Sequence, residues 1–133
     1  MNTRLLKDED WETLCKWWEV WPEWANPPKS FLPDNGKGGL MVEKDGKPIV
    51  AGFIYLTNSD ACLLEWIVSD PEYREKDRKE ALELLITSAE QACKDLGKAH
   101  MFSIGRNEHL IKTHKKLGWT VDKKPSYEII KNI

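Results

Sequence analysis

The 133-residue chain holds only three cysteines, Cys15, Cys62 and Cys93, far apart and in no Cys-x-x-Cys pair. An odd, dispersed set offers no disulfide framework, and it makes no zinc-ligand spacing with His100, His109 or His114. Each cysteine stands among apolar residues and is expected to be a buried free thiol in a reducing compartment, with no metal site. No apolar run is long enough for a membrane span or a signal segment, so the chain is expected to be cytoplasmic, without a membrane partner. A basic excess is missing too. The 20 Lys+Arg stand against 22 Asp+Glu, a formal net charge of −2, which argues against nucleic acid as a partner. The balance is uneven: residues 1–70 carry 7 basic and 12 acidic side chains, residues 71–133 carry 13 and 10. The C-terminal half can therefore favour an anionic ligand. Internal repeats and low-complexity tracts are also absent.

What the chain does have is hydrophobic content of 41% with 32% charged residues, the balance of a soluble globular fold of one domain, residues 1–133. It also has seven tryptophans, five of which (Trp11, Trp17, Trp18, Trp21, Trp24) fall between residues 11 and 24. A core alone seldom needs so many large rings in one short stretch.

Residues 3–6 read as a first strand, and Asp8 or Asp10 can cap a helix over about residues 9–20. Trp11, Leu14, Cys15 and Trp18 form its apolar stripe, with Trp17 and Trp21 beside it. Residues 22–38, rich in Pro, Asn, Gly and Lys, read as a long loop with one short helical turn near residues 28–32. Strands at 39–43 and 48–56 are joined by Asp45-Gly46, a type I′ turn sequence. A mostly apolar central strand follows at 61–68. A long amphipathic helix then spans about residues 76–96, with Gly97 as its stop. A strand at 100–104, a helix capped by Asn107 and short strands at 119–121 and 127–130 complete the order. The strand–helix–strand step over 61–104 predicts a right-handed parallel crossover. The expected class is α/β: a mixed, mostly antiparallel central sheet with helices on both faces.

That order, with two local stretches, resembles the GNAT (GCN5-related N-acetyltransferase) superfamily. Leu64-Glu65-Trp66-Ile67-Val68-Ser69-Asp70-Pro71-Glu72-Tyr73-Arg74 is similar to the family's central strand and its Pro-x-Tyr-Arg turn. Asn107-x-x-Leu110 through His114 to Leu117-Gly118-Trp119 is similar to the family's Asn-x-x-Ala-x-x-x-Tyr-x-x-x-Gly-Phe helix. The resemblance covers nearly the whole chain. It implies that acetyl-CoA lies between two splayed strands, its pantetheine arm on the backbone of Trp66, Ile67 and Val68. It implies a pyrophosphate on N–H groups at the start of the long helix, where the dipole favours an anion. In the family's Arg/Gln-x-x-Gly-x-Gly/Ala motif at this point, Arg74 fits the first position, but Asp77 and Lys79 stand where small residues are expected. Lys76, Arg78 and Lys79 then supply charge in place of glycine, and Asn107 completes the candidate cofactor set.

By the same resemblance His114 takes the place of the family's general acid, a role an imidazole can fill near neutral pH. Cys62 and Leu64 occupy the positions of the base and are unsuited to it. Glu65 lies nearby, but strand alternation sends it to the opposite face unless a bulge intervenes. Trp17, Trp21 and Trp24 fall on the acceptor side, where aromatic rings suit an apolar or cationic group or a protein surface. The expected activity is acetyl transfer from acetyl-CoA to an amine of a small molecule or protein, through a tetrahedral intermediate. The alternative, favoured by the missing glycines and base, is a catalytically degenerate GNAT fold that binds a protein partner or a second copy as a homodimer. Small GNAT-like proteins with such eroded loops resemble those carried by bacteriophages, including virion-associated ones.

Overall fold

The computed structural model describes residues 1–20 and 26–133. Its elements run β1 (Asn2–Leu5), α1 (Asp10–Glu19), β2 (Gly39–Lys44), β3 (Lys47–Leu56), β4 (Ala61–Ser69), α2 (Arg78–Asp95), β5 (His100–Phe102) and α3 (Glu108–Lys116). The strands form one sheet in the order β1-β2-β3-β4-β5. β1 to β4 are antiparallel neighbours, and the α2 crossover makes β4 and β5 parallel. The expected mixed sheet is thus observed, with element ends shifted by a few residues. Asp45 and Gly46 both take positive φ, +53° and +76°, as a type I′ hairpin requires.

Two apolar layers sandwich the sheet. On one face α2 lays Ala81, Leu85, Ile86 and Ala89 against Val42, Val50 and Leu64. On the other, α1 lays Leu14, Trp17 and Trp18 against Met41, Ala51 and Phe53. Positions 14, 17 and 18 share one helix face by their three- and four-residue spacing. This corrects the placing of Trp17 on the acceptor side: it is 6% exposed and belongs to the core. Trp11 is half-buried with its ring edge-on to Trp18. Trp21 and Trp24 lie outside the described residues. Of the cysteines, Cys62 and Cys93 are buried, whereas Cys15 is only half-buried.

The two expected C-terminal strands are not formed. Trp119 is half-buried and its indole Nε1 donates to Glu90 at 2.6 Å, but residues 120–133 are exposed. Tyr127 and Ile129 are 93% and 92% exposed, so the apolar pattern there has no sheet face to bury against. No helix among the described residues is long and apolar enough to cross a membrane.

The sheet is irregular at one place. Val68 pairs with Ala51 and Glu65 with Phe53, so Gly52 alone stands opposite both Trp66 and Ile67. This is a bulge in β4, and Trp66 adopts φ +56° within it. Gly52 suits the spot because a Cβ there would lie 3.2 Å from Ile67, Leu64 and Leu85 side chains at once.

Candidate functional site

β4 and β5 are paired only from Ala61–His100 to Leu63–Phe102. Beyond that point β4 continues to Ser69 while the chain after Phe102 turns away towards α3. The strands part, and a cleft of about 510 Å³ opens between the end of β4 and the first turns of α2 and α3. Ile67, Val68, Arg78 and Asn107, all expected at a cofactor site, line it. Asn107 also caps α3, its Oδ1 accepting from the Leu110 N–H at 2.8 Å. Ser69, Arg106 and His109 line the cleft as well and had not been singled out from the sequence. Arg74, Lys76 and Lys79 are exposed and do not line it.

Arg78 is the first residue of α2, and its Nη2 donates to Ser69 Oγ at 2.8 Å. A guanidinium is thereby fixed at a helix N-terminus, where the dipole adds to its attraction for an anion. Asp77 does not oppose it from the cleft. Its carboxylate accepts from Lys44 Nζ at 2.6 Å and from the Tyr73 hydroxyl at 2.7 Å. The Lys44 ammonium, helped by Tyr73, holds the Asp77 carboxyl below the usual range.

The bulge decides the other half of the site. Glu65 faces the α1 side with its partner Phe53, and the bulge sends Trp66 to the same side, while Ile67 packs on the α2 side. The strand therefore presents Glu65 and Trp66 together. The Trp66 ring meets Trp18 and Phe31 edge-on, with centroids at 6.1 and 5.8 Å, and carries the Arg106 guanidinium 5.2 Å from its centre. Trp66 thus does not line the cleft, contrary to the expectation of three consecutive residues along it.

Glu65 is 6% exposed, and its Oε1 accepts from the Ile104 N–H at 2.6 Å. Burial pushes its carboxyl up to about 7, against the downward pull of the Ile104 N–H and the Arg106 charge. A buried carboxyl raised to near neutrality is suited to accepting and giving up a proton, and Glu65 does so from the α1 face of β4, not from the cleft lining. Its sequence signal was one acidic residue inside an otherwise apolar strand, and ordinary alternation puts it on the face opposite Leu64 as expected; the bulge that follows and turns Trp66 to the same face left no signal.

His114 is 5% exposed, packs edge-on against Trp119 at 4.6 Å, and pairs through Nδ1 with the Leu110 carbonyl oxygen at 2.9 Å. It does not line the cleft. Burial lowers its pKa, so the neutral ring is favoured, and Nε2 finds no hydrogen-bond partner. His114→Phe keeps the packing and removes an unsatisfied nitrogen. It is expected to change folding stability by no more than about 1 kcal/mol, read from urea denaturation.

Among the described residues no cluster of three or more His, Cys, Asp or Glu side chains is arranged to hold a metal ion.

No protein-family profile and no curated protein matches the chain. Solved structures do. TTHA1254 from Thermus thermophilus superposes with a TM-score of 0.65 at 14% identity, over 100% of this chain and 98% of that one. A GCN5-related N-acetyltransferase from Ralstonia eutropha gives 0.63 at 19% identity, over 96% and 97%. The aminoglycoside N-acetyltransferase AAC(6')-Iy, solved in complex with CoA, gives 0.63 at 20% identity, over 98% and 95%. The fold is that of these structures, two of which are N-acetyltransferases.

Proposed function

We propose that this chain is an N-acyltransferase that moves an acetyl group from acetyl-CoA to an amine, with Glu65 as the general base. The observation that carries the reading is the cleft that opens where β4 and β5 part, lined by Arg78, Arg106 and the end of β4, with the buried Glu65 carboxyl on the other face of that same strand.

The residues present fit the donor. Arg78 and the N-terminus of α2 would hold the pyrophosphate, a side-chain solution in place of a glycine loop. The backbone of Ile67 and Val68, free of β5 at this height, would pair with the pantetheine arm. Asp77, clamped by Lys44 and Tyr73, puts no uncompensated charge in the way. Bound there, acetyl-CoA supplies an activated thioester. A backbone N–H at the end of β4, of Ile67 or Val68, would polarise its carbonyl oxygen. Glu65, as carboxylate, takes a proton from the acceptor amine and leaves it nucleophilic. His114 has no part in this scheme.

Calorimetric titration with acetyl-CoA tests the donor assignment. Micromolar binding is expected, and Arg78→Glu should weaken it about 100-fold or more by exchanging a charge-assisted contact for repulsion. Absence of binding at millimolar ligand would remove the enzyme reading.

A further inference from the structure

We propose that Lys44 and Tyr73 are positioning residues for the donor site: they draw the Asp77 carboxylate off the start of α2 and so keep the first N–H groups of that helix open to an anion. The inference rests on the reading of that helix start as the seat of the donor pyrophosphate.

An aspartate immediately before a helix is among the best capping residues, its side-chain oxygen accepting from the second or third N–H of the helix. Asp77 stands at that point of α2, yet it makes no capping hydrogen bond. Its backbone, at φ −85° and ψ +6°, is also held out of the extended conformation that a cap takes. The carboxylate is engaged elsewhere. Oδ2 accepts from Lys44 Nζ at 2.6 Å and Oδ1 from the Tyr73 hydroxyl at 2.7 Å. Asp77 thereby lines a separate hollow with Lys44 and Glu80, and not the cleft. In the first turn, the Arg78 N–H donates to the Glu75 carbonyl oxygen at 3.2 Å and the Ala81 N–H to that of Asp77 at 3.0 Å. The N–H groups of Lys79 and Glu80, the two that Asp77 would cap, meet no acceptor among the described residues.

The clamp comes from the end of the β2–β3 hairpin. The Asp45-Gly46 turn sets Lys44 opposite Lys47 as the last pair of that ladder. Lys44 reaches Asp77, and the Lys47 ammonium lies 5.5 Å from the centre of the Tyr73 ring, which is itself buried. The phenol is thus fixed where its hydroxyl meets the carboxylate. The Lys44 charge keeps Asp77 ionised and neutralises it on the flank away from the cleft. Without the clamp, a carboxylate one residue before Arg78 would repel an anion and compete with it for the same two N–H groups.

The test compares wild type, Lys44→Met/Tyr73→Phe, and that pair combined with Asp77→Ala. Acetyl-CoA affinity is measured by calorimetry, and exchange of the Lys79 and Glu80 amide protons is followed by NMR in the ligand-free protein. The double variant should bind acetyl-CoA about tenfold more weakly. Its two amides should exchange about fivefold more slowly, because the freed carboxylate caps them. Asp77→Ala in that background should return affinity to within about threefold of wild type and restore the faster exchange. Equal affinity in wild type and double variant overturns the proposal, and so does a loss that Asp77→Ala fails to restore. If wild type itself binds no acetyl-CoA, the proposed function falls and the exchange rates alone decide the clamp: slower exchange in the double variant upholds it, and unchanged exchange overturns it.

Discussion

Glu65→Gln is expected to lower kcat for acetyl transfer by about 10²–10⁴-fold while leaving acetyl-CoA affinity within about threefold, because it removes the proposed general base without touching the cleft proposed for the donor. The wild-type pH profile of kcat/KM should fall on the acid side with a midpoint near 7, where Glu65 titrates. The same substitution has a stability signature of definite sign. The Glu65 carboxyl binds its proton more tightly in the folded chain, at about 7 against 4.5 for the free side chain. Between those values the folded state holds more protons than the unfolded state, so stability falls as pH rises. The full contribution is present below about pH 4.5 and is lost as pH climbs through 7. It is worth roughly 3 kcal/mol, an order-of-magnitude figure. His114 acts in the opposite sense: its pKa is lowered by burial, so its contribution is present above about 6.5 and is lost as pH falls. Comparing wild type with Glu65→Gln in denaturant titrations at pH 5 and pH 8.5 isolates the Glu65 part. Equal stability differences at the two pH values would show that the carboxyl is not held as the structure describes.

The second large effect is expected at Trp18. Its side chain is fully buried, stacked near Phe53 at 6.3 Å and meeting Trp11 and Trp66 edge-on. Trp18→Ala should cost about 3–5 kcal/mol, the combined loss of buried area and of a cavity left behind. Against a total of roughly 5–15 kcal/mol for a domain of this size, that leaves a marginal fold. Trp18→Phe should recover much of the loss, helped by removal of an indole nitrogen that has no hydrogen-bond partner. Because the Trp66 ring leans on Trp18, the alanine variant should lose acetyl transfer along with stability, and the phenylalanine variant should retain it. A loss under about 1 kcal/mol for Trp18→Ala would contradict the packing.

The tryptophan cluster shows how far periodicity carries. Spacing alone separates one helix face from another, and it correctly sent Trp18 inward. It sent Trp17 outward, because the stripe was drawn through Trp11, Leu14, Cys15 and Trp18 and not through Leu14, Trp17 and Trp18. The two faces are one residue apart, and only contact with Met41, Ala51 and Phe53 decides between them. The C-terminal strands fail for a related reason. Alternating apolar residues at 127–130 satisfy strand propensity, yet a strand also needs a partner edge and a face to cover, and the folded chain supplies neither at that point.

The glycine-poor turn at Arg74–Lys79 is a different case. From the sequence, Asp77 looked like an obstacle to an anion. Lys44, 33 residues earlier, neutralises it through a contact that no local pattern contains. Likewise Arg106, His109 and Ser69 carry no motif, and reach the cleft because segments far apart in the sequence converge where β4 and β5 part.

The order of strands and helices as far as α3, the type I′ turn at Asp45-Gly46, the Asn107 cap and the parallel crossover were determined by the sequence alone. Each depends on residues near one another in the chain, through periodicity, turn φ values or a single capping bond. The tertiary structure decided the chemistry. It bulged β4 at Trp66, leaving Glu65 and Trp66 on one side, buried the carboxyl and set the Ile104 N–H against it. Those outcomes depend on burial and charge contributed by distant segments, and desolvation exists only once the chain has folded around the group.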